Sequence, residues 1–190
     1  MPRTNKTQYV ILGLLSIGPQ SGYDVKQTVD RALSHFWSEG YGSIYPILKR
    51  LEEKGLAVSQ LEVQDGKPDR KVYEITDAGR SELRNWLAQP VEPPAVRNEM
   101  LLRLFLGPQG DLDALIGNLA HYREEYASRL AAYDLLAEEV ADEYADSEFR
   151  PFWELSLDHG KRICQTYLEW CDATQAELRK LKRNNGEPDQ

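Results

Sequence analysis

From Leu112 to Val140 the apolar residues return every three or four positions: Leu112, Leu115, Leu119, Tyr122, Tyr126, Leu130, Tyr133, Leu136 and Val140. That spacing marks one face of an α-helix. Some thirty residues at about 1.5 Å each make a rod of roughly 45 to 50 Å, longer than a small domain is wide. Any fold for this chain must therefore supply a partner along the rod. A second run, from about Phe149 to Leu181, repeats the pattern through Phe152, Leu155, His159, Ile163, Thr166, Trp170 and Leu178. A short apolar helix over Met100 to Leu106 precedes both; Gly107-Pro108-Gln109-Gly110 breaks it, and Asp111 is placed to cap the long helix. Two striped rods and a small helix invite burial against a second copy of themselves, so a homodimer is expected.

Pro90, Pro93 and Pro94 cluster just before this helical region, and the charge changes there too. Met1 to Pro90 holds 12 Lys+Arg and 11 Asp+Glu, whereas 11 and 20 fall to Val91 to Gln190; the two parts carry +1 and −9 of a whole-chain −8. We place a domain boundary near Val91, giving domains 1–90 and 91–190. A pI of about 5.0 argues against indiscriminate coating of nucleic acid, yet it leaves room for one local basic face on the near-neutral first domain.

The first domain reads as helix, helix, helix, hairpin, helix. Tyr9 to Ile17 is apolar on nearly every side, which fits a short buried helix stopped by Gly18-Pro19. Ser21 and Asp24 have capping-box spacing, and Val25, Val29 and Leu33 then form a stripe. In GSIYPILKRLEEKG, Pro46 is tolerable in the first turn of a third helix and Gly55 is placed as its stop. Ile44, Ile47, Leu48 and Leu51 share one face of that helix; Ser43, Tyr45, Lys49 and Arg50 lie toward its start on the remainder. Val58 to Val63 and Val72 to Ile75 flank a turn-rich stretch and read as a hairpin with Lys67, Arg70 and Lys71 near its tip. Thr76 or Asp77 caps a fourth helix with Leu83, Trp86 and Leu87 on one side.

This element order is that of a winged helix-turn-helix DNA reader: a third helix offering hydroxyl, phenol and cationic groups, and a basic hairpin beside it. A helix end bearing Ser43, Tyr45 and Lys49 fits the major groove, where Lys donates to guanine edges or phosphate and hydroxyls donate to phosphate oxygens. Taken singly, Lys49-Arg50 is an ordinary solvated face and DGKPDRK an ordinary polar turn. Their order in the chain is what points to DNA.

The stretch YVILGLLSIGPQSGYDVKQTV, the run GSIYPILKRLEEKGLA after Trp37, and RKVYEITDAGRSEL resemble the PadR family of bacterial transcriptional regulators. The helical second half is similar to that family's dimerising domain, so the resemblance spans roughly residues 7 to 180. It implies a mainly α fold with a small β-hairpin wing, and a dimeric repressor on a palindromic operator, often released by a small aromatic or planar hydrophobic effector. Carried over residue by residue, it implies groove contacts from Ser43, Tyr45 and Lys49, a second-rank contact from Arg50, a phosphate contact from Tyr23, and wing contacts from Lys67, Arg70 and Lys71. Tyr23 could equally be a packing tyrosine, and Arg50 could pair with Glu53.

For the effector, Trp37, Trp153 and His159 are candidates to line a pocket for a planar organic molecule between the two halves. An aromatic stripe at helical spacing is more often core than a ligand box, and a lone His there more often a core residue. A MarR-type regulator is the neighbouring alternative, but it closes its dimer with helices from both ends of the chain, and little precedes Tyr9. A protein-interaction module without DNA is a further alternative. No catalytic motif is present, no cofactor is implied, and His159, Cys164 and Cys171 lack metal-ligand spacing. The cysteines, seven residues apart on one helix and so about 10 Å apart along its axis, are beyond disulfide reach. With no apolar run of membrane-spanning length, a cytoplasmic protein is expected.

Overall fold

The computed structural model describes residues 6–33, 44–63, 69–91, 93 and 97–184. It is mainly helical with one small antiparallel sheet, and it divides into two compact units, residues 1–93 and 94–190. Among the described residues, no helix is long and apolar enough to cross a membrane.

The first unit begins with α1 (Thr7–Ile17), whose Ile11, Leu12 and Leu15 are almost wholly buried. Gly18 and Pro19 end it, and the Gln20 side-chain amide donates to the carbonyl of Leu14 at 2.9 Å, satisfying one of the open carbonyls of the last turn. The chain then makes a two-residue strand, β1 (Gln20–Ser21), which sequence periodicity does not reveal. The expected capping box at the start of α2 (Gly22–Thr28) is present, with Ser21 accepting from the Asp24 amide while the Asp24 carboxylate accepts from the Ser21 amide. One turn of π-helix, Val29–Leu33, prolongs α2.

Helix α3 (Ile44–Glu53) has Pro46 in its first turn, and Gly55, at φ 68, closes it. The Gly55 amide donates to Glu52 O at 2.9 Å and the Leu56 amide to Leu51 O at 2.8 Å, the paired bonds of a Schellman ending, which needs the left-handed backbone that glycine adopts without strain. Strands β2 (Ala57–Glu62) and β3 (Arg70–Ile75) follow, with β3 central in the order β1-β3-β2. Their register sets Glu62 opposite Arg70 and Ser59 opposite Tyr73. Thr76 caps α4 (Asp77–Leu87) by accepting from the Gly79 amide, and its hydroxyl donates to Gly55 O at 2.7 Å, tying the end of α3 to the start of α4. Tyr9 stacks on Trp86 with ring centroids 4.5 Å apart, which holds α4 on α1. Leu87, expected beside Trp86 in the core, is exposed instead.

In the second unit, Asn98 caps α5 (Glu99–Phe105), a 3-10 turn spans Gly107–Gln109, and Asp111 caps α6 (Leu112–Glu143) as its sequence predicts. Helix α7 (Arg150–Asn184) runs back along α6. All nine residues of the α6 stripe face the two hydrophobic clusters of this unit. The stripe on α7 behaves differently. Trp170 and Leu178 pack inward as expected, but Phe152, Leu155, His159, Ile163 and Thr166 are exposed, and the other buried residues of α7 are Leu157, Gly160, Cys164, Cys171, Gln175 and Lys182.

Three ion pairs fix the register of this antiparallel pair: Lys182 with Asp113 at 2.8 Å, Arg123 with Asp172 at 2.6 Å and Lys161 with Asp134 at 2.7 Å. Ten residues forward on α6 match ten backward on α7, and the next eleven match eleven, so the helices stay in step. Gly160 allows close approach, because a Cβ there would stand 2.5 Å from Cζ of Tyr133. Cys164 and Cys171 are free and buried, and burial pushes both thiols above their ordinary range.

Candidate nucleic-acid interface

The sidedness of α3 produces the site. Ile44, Ile47, Leu48 and Leu51 are at most 2% exposed, so the helix is anchored along one stripe by the core under α1 and α2. The opposite stripe then has one orientation available, and it presents Tyr45, Lys49 and Arg50 to solvent. The start of α2 packs against the start of α3: a Cβ on Gly22 would lie 2.6 Å from Cε1 of Tyr45 and 3.2 Å from Cδ1 of Leu48. Gly22 thus makes room for the Tyr45 ring, which stays 57% exposed, while the adjacent Tyr23 is 65% exposed. Tyr23 is therefore an outward-facing side chain, in contrast to the packing alternative.

The cations are distributed around these two tyrosines, and most already have partners. Lys49 lies 3.8 Å from Glu53, the i,i+4 neighbour on its own helix, with both side chains largely exposed. That leaves Arg50, for which Glu53 was the alternative partner, with no ion pair among the described residues. On the wing, Arg70 donates to Glu62 at 2.6 Å and stands 3.7 Å from Asp24 of α2. Lys71 donates to Glu52 of α3 at 2.8 Å and sits over the Tyr73 ring, 5.1 Å from its centroid. Successive strand residues point to opposite faces. Lys71 accordingly reaches back to α3, and Arg70 pairs with Glu62 across the hairpin.

These contacts shift the charges in consistent directions. The Lys71 bond to Glu52, then the one from the Ser59 hydroxyl, holds the Glu52 carboxyl below the usual range. Burial pushes Asp24 upward, but the Ser21 amide and hydroxyl, with the charge of Arg70, outweigh it and leave Asp24 low. Glu62 pushes Arg70 up, and Glu52 does the same to Lys71. Arg70 and Lys71 are therefore charged at neutral pH.

Of the sequence-predicted contacts, the structure gathers Tyr23, Tyr45, Lys49, Arg50, Arg70 and Lys71 in the first unit; Ser43 and Lys67 lie outside the described residues. Sequence reasoning missed Asp24, Glu52 and Glu62 as partners of the wing cations. The signal for Glu62 was the hairpin register, which sets it across from Arg70.

The effector candidates are placed less closely together. Trp37 lies outside the described residues. Trp153 is half-buried, stacked on Phe149 and edge-on to Tyr144 where α6 turns into α7, whereas His159 is exposed. Six residues apart on one helix, Trp153 and His159 leave α7 about 120° from each other. The densest aromatic group of the second unit is elsewhere: Tyr126 stacks on Tyr167 at 4.3 Å, and Tyr122 meets Tyr126, Tyr167 and Trp170 edge-on. Burial pushes the Tyr126 phenol well above its ordinary range.

Comparison with known proteins gives a consistent answer for both units. A profile described as the transcriptional regulator PadR-like family matches residues 11–85, and one described as virulence activator alpha C-term matches 96–179. The chain is 29% identical over 180 residues to the negative transcriptional regulator PadR of Bacillus subtilis, covering 91% of this chain and 97% of that one. Crystal structures of that protein superpose well. The complex with operator DNA gives a TM-score of 0.78 at 26% identity, over 90% of this chain and 98% of that one. The complex with p-coumaric acid gives 0.72 at the same identity and coverage. The PadR-like regulator BC1756 of Bacillus cereus gives 0.79 at 29% identity, over 93% of this chain and 98% of that one.

Proposed function

Since the chain belongs to the PadR-like family of transcriptional regulators, we propose that it binds a palindromic operator as a homodimer and represses the adjacent gene. The observation that carries this reading is the division of α3 into a fully buried stripe and an outer stripe of Tyr45, Lys49 and Arg50. Ser43, Tyr45 and Lys49 enter the major groove, Arg50 and Tyr23 contact the backbone beside it, and Lys67, Arg70 and Lys71 extend from the wing to the flanking phosphates. The operator-DNA complex of the Bacillus subtilis relative supports this assignment.

The homodimer is supported by what a single copy leaves uncovered: Leu101, Leu102 and Phe105 on α5, Leu106 just after it, and Phe152, Leu155 and Ile163 on α7 are all exposed. Burying such faces against a second copy fixes the separation of the two α3 helices, and an operator with matched half-sites follows from that symmetry. The acidic second unit repels DNA and orients the first unit toward it.

The effector class is a small planar aromatic molecule, in line with the p-coumaric acid complex of the relative, with Trp37, Trp153 and His159 as the residues to test. Binding changes the spacing of the two α3 helices and so releases the operator. Footprinting the protein on DNA from its own upstream region tests the reading. Two protected patches about 34 Å apart on one face of the duplex are expected, weakening as salt rises; uniform, sequence-independent protection would contradict it.

A further inference from the structure

Two cations of the wing, Arg70 and Lys71, are engaged before DNA arrives, so phosphate must compete for them. Arg70 holds Glu62 at 2.6 Å with Asp24 at 3.7 Å, and Lys71 holds Glu52 at 2.8 Å. Two of these acids are themselves pinned. Glu52 also accepts from the Ser59 hydroxyl of β2, and Asp24 accepts from the Ser21 amide at 2.9 Å and the Ser21 hydroxyl at 2.8 Å. A carboxylate attached only to its cation swings aside when that cation turns to a phosphate. One pinned by a second donor stays where it is and meets the phosphate as a like charge. Glu53 and Glu62 provide the internal contrast: Glu53 faces Lys49 at 3.8 Å, Glu62 faces Arg70 at 2.6 Å, and neither has a second donor among the described residues.

We propose that Asp24 and Glu52 are acidic competitor residues of the DNA interface, which restrain its grip on DNA backbone of arbitrary sequence. The inference rests on the DNA-binding reading above. Binding to arbitrary sequence depends almost wholly on neutralised phosphates, and its salt slope counts them. With the wing cations tied to fixed carboxylates, fewer phosphates are neutralised than the number of lysines and arginines would give. Contacts from α3 to base edges are untouched by this restraint, so they decide where the protein stays.

The test uses the full-length Glu52→Gln variant beside wild type and Glu53→Gln. Glutamine at 52 keeps an acceptor for Ser59, so the fold is preserved; Asp24 is left intact because it completes the capping box of α2. Anisotropy titrations are run with a scrambled duplex and with the protein's own upstream duplex, across roughly 50 to 200 mM salt. Glu52→Gln is expected to bind the scrambled duplex about two- to five-fold tighter. Its log K against log salt should steepen by about 0.9 for each phosphate newly neutralised, while Glu53→Gln stays near wild type. Unchanged or weaker binding by Glu52→Gln, with wild type binding normally, overturns the proposal and leaves the DNA reading standing. An equal gain in Glu53→Gln also overturns it, since net charge alone then suffices. Absence of salt-dependent binding by wild type overturns the DNA reading, and this proposal with it.

Discussion

The two units solve the problem of burying apolar surface in different ways. In the first, the described helices and a three-stranded sheet close around one core in which Ile11, Leu12, Val25, Leu48 and their neighbours are essentially inaccessible. In the second, α6 and α7 meet along a thin seam of tyrosines, cysteines and a glycine, and large apolar side chains such as Phe105, at 82% exposure, remain outside. The first unit leaves apolar side chains outside as well, Val58, Leu61, Val63 and Leu87 among them, but the outer stripe of α3 is polar. The second has further apolar area to bury, and on the reading proposed above a second copy covers it. On that reading contact is separate from coupling: one unit touches DNA, and the other sets how two such units are spaced.

The largest expected break in this contrast comes at Gly79. A Cβ there would stand 2.1 Å from the Leu56 carbonyl oxygen, which backbone cannot yield cheaply. Gly79→Ala should cost the first unit about 3 kcal/mol or more, read as a loss of its unfolding transition in a denaturant melt while the helical signal of the second unit persists. Next is the outer stripe of α7. Phe152→Glu with Leu155→Glu should weaken dimerisation by roughly thirty-fold or more, seen by sedimentation, with helicity retained because neither residue packs on α6. An unchanged dimer would place the partner face elsewhere.

Gly160→Ala sharpens the comparison within the second unit. Its Cβ would press on the ring of Tyr133, a side chain that can shift, so a cost of about 1 to 3 kcal/mol is expected, well short of Gly79. A smaller effect separates the units by pH. Asp24 is held low in the folded state, so the stability it contributes is full above the ordinary aspartate pKa of about 3.9 and is lost as pH falls through its folded value. Acid titration should destabilise wild type more steeply than Asp24→Asn over this range. Finally, titration with planar aromatic acids should shift Trp fluorescence and release operator DNA, and unchanged affinity in Trp153→Ala, His159→Ala would remove those two residues from the effector site.

The helices were legible because their caps and stripes are local. Ser21 with Asp24, Gly55, Thr76 and Asp111 all mark ends that the structure keeps, and the nine apolar residues of α6 all face the core. Strand β1 was not legible, since two residues have no period to read. Part of the inner face of α7 was hidden for a different reason. Gly160 and Lys182 are small or charged, and they are buried because Tyr133 needs room and Asp113 needs a partner, which are properties of the facing helix. Of the stripe read on α7, Trp170 and Leu178 pack inward, whereas Phe152, Leu155 and Ile163 face outward. At the interface, α3 was readable from its amphipathic spacing, but the acids opposing the wing cations depend on register and on contacts between elements.

The most direct test of the account is binding of the full-length protein to DNA from its own upstream region across a salt series, beside Tyr45→Ala, Lys49→Ala. Both side chains are exposed and neither supports the core, so the variant should stay folded and dimeric. The account predicts tight, salt-sensitive binding by wild type that the variant loses. A folded, dimeric variant that binds the same DNA with wild-type affinity and salt slope would contradict it.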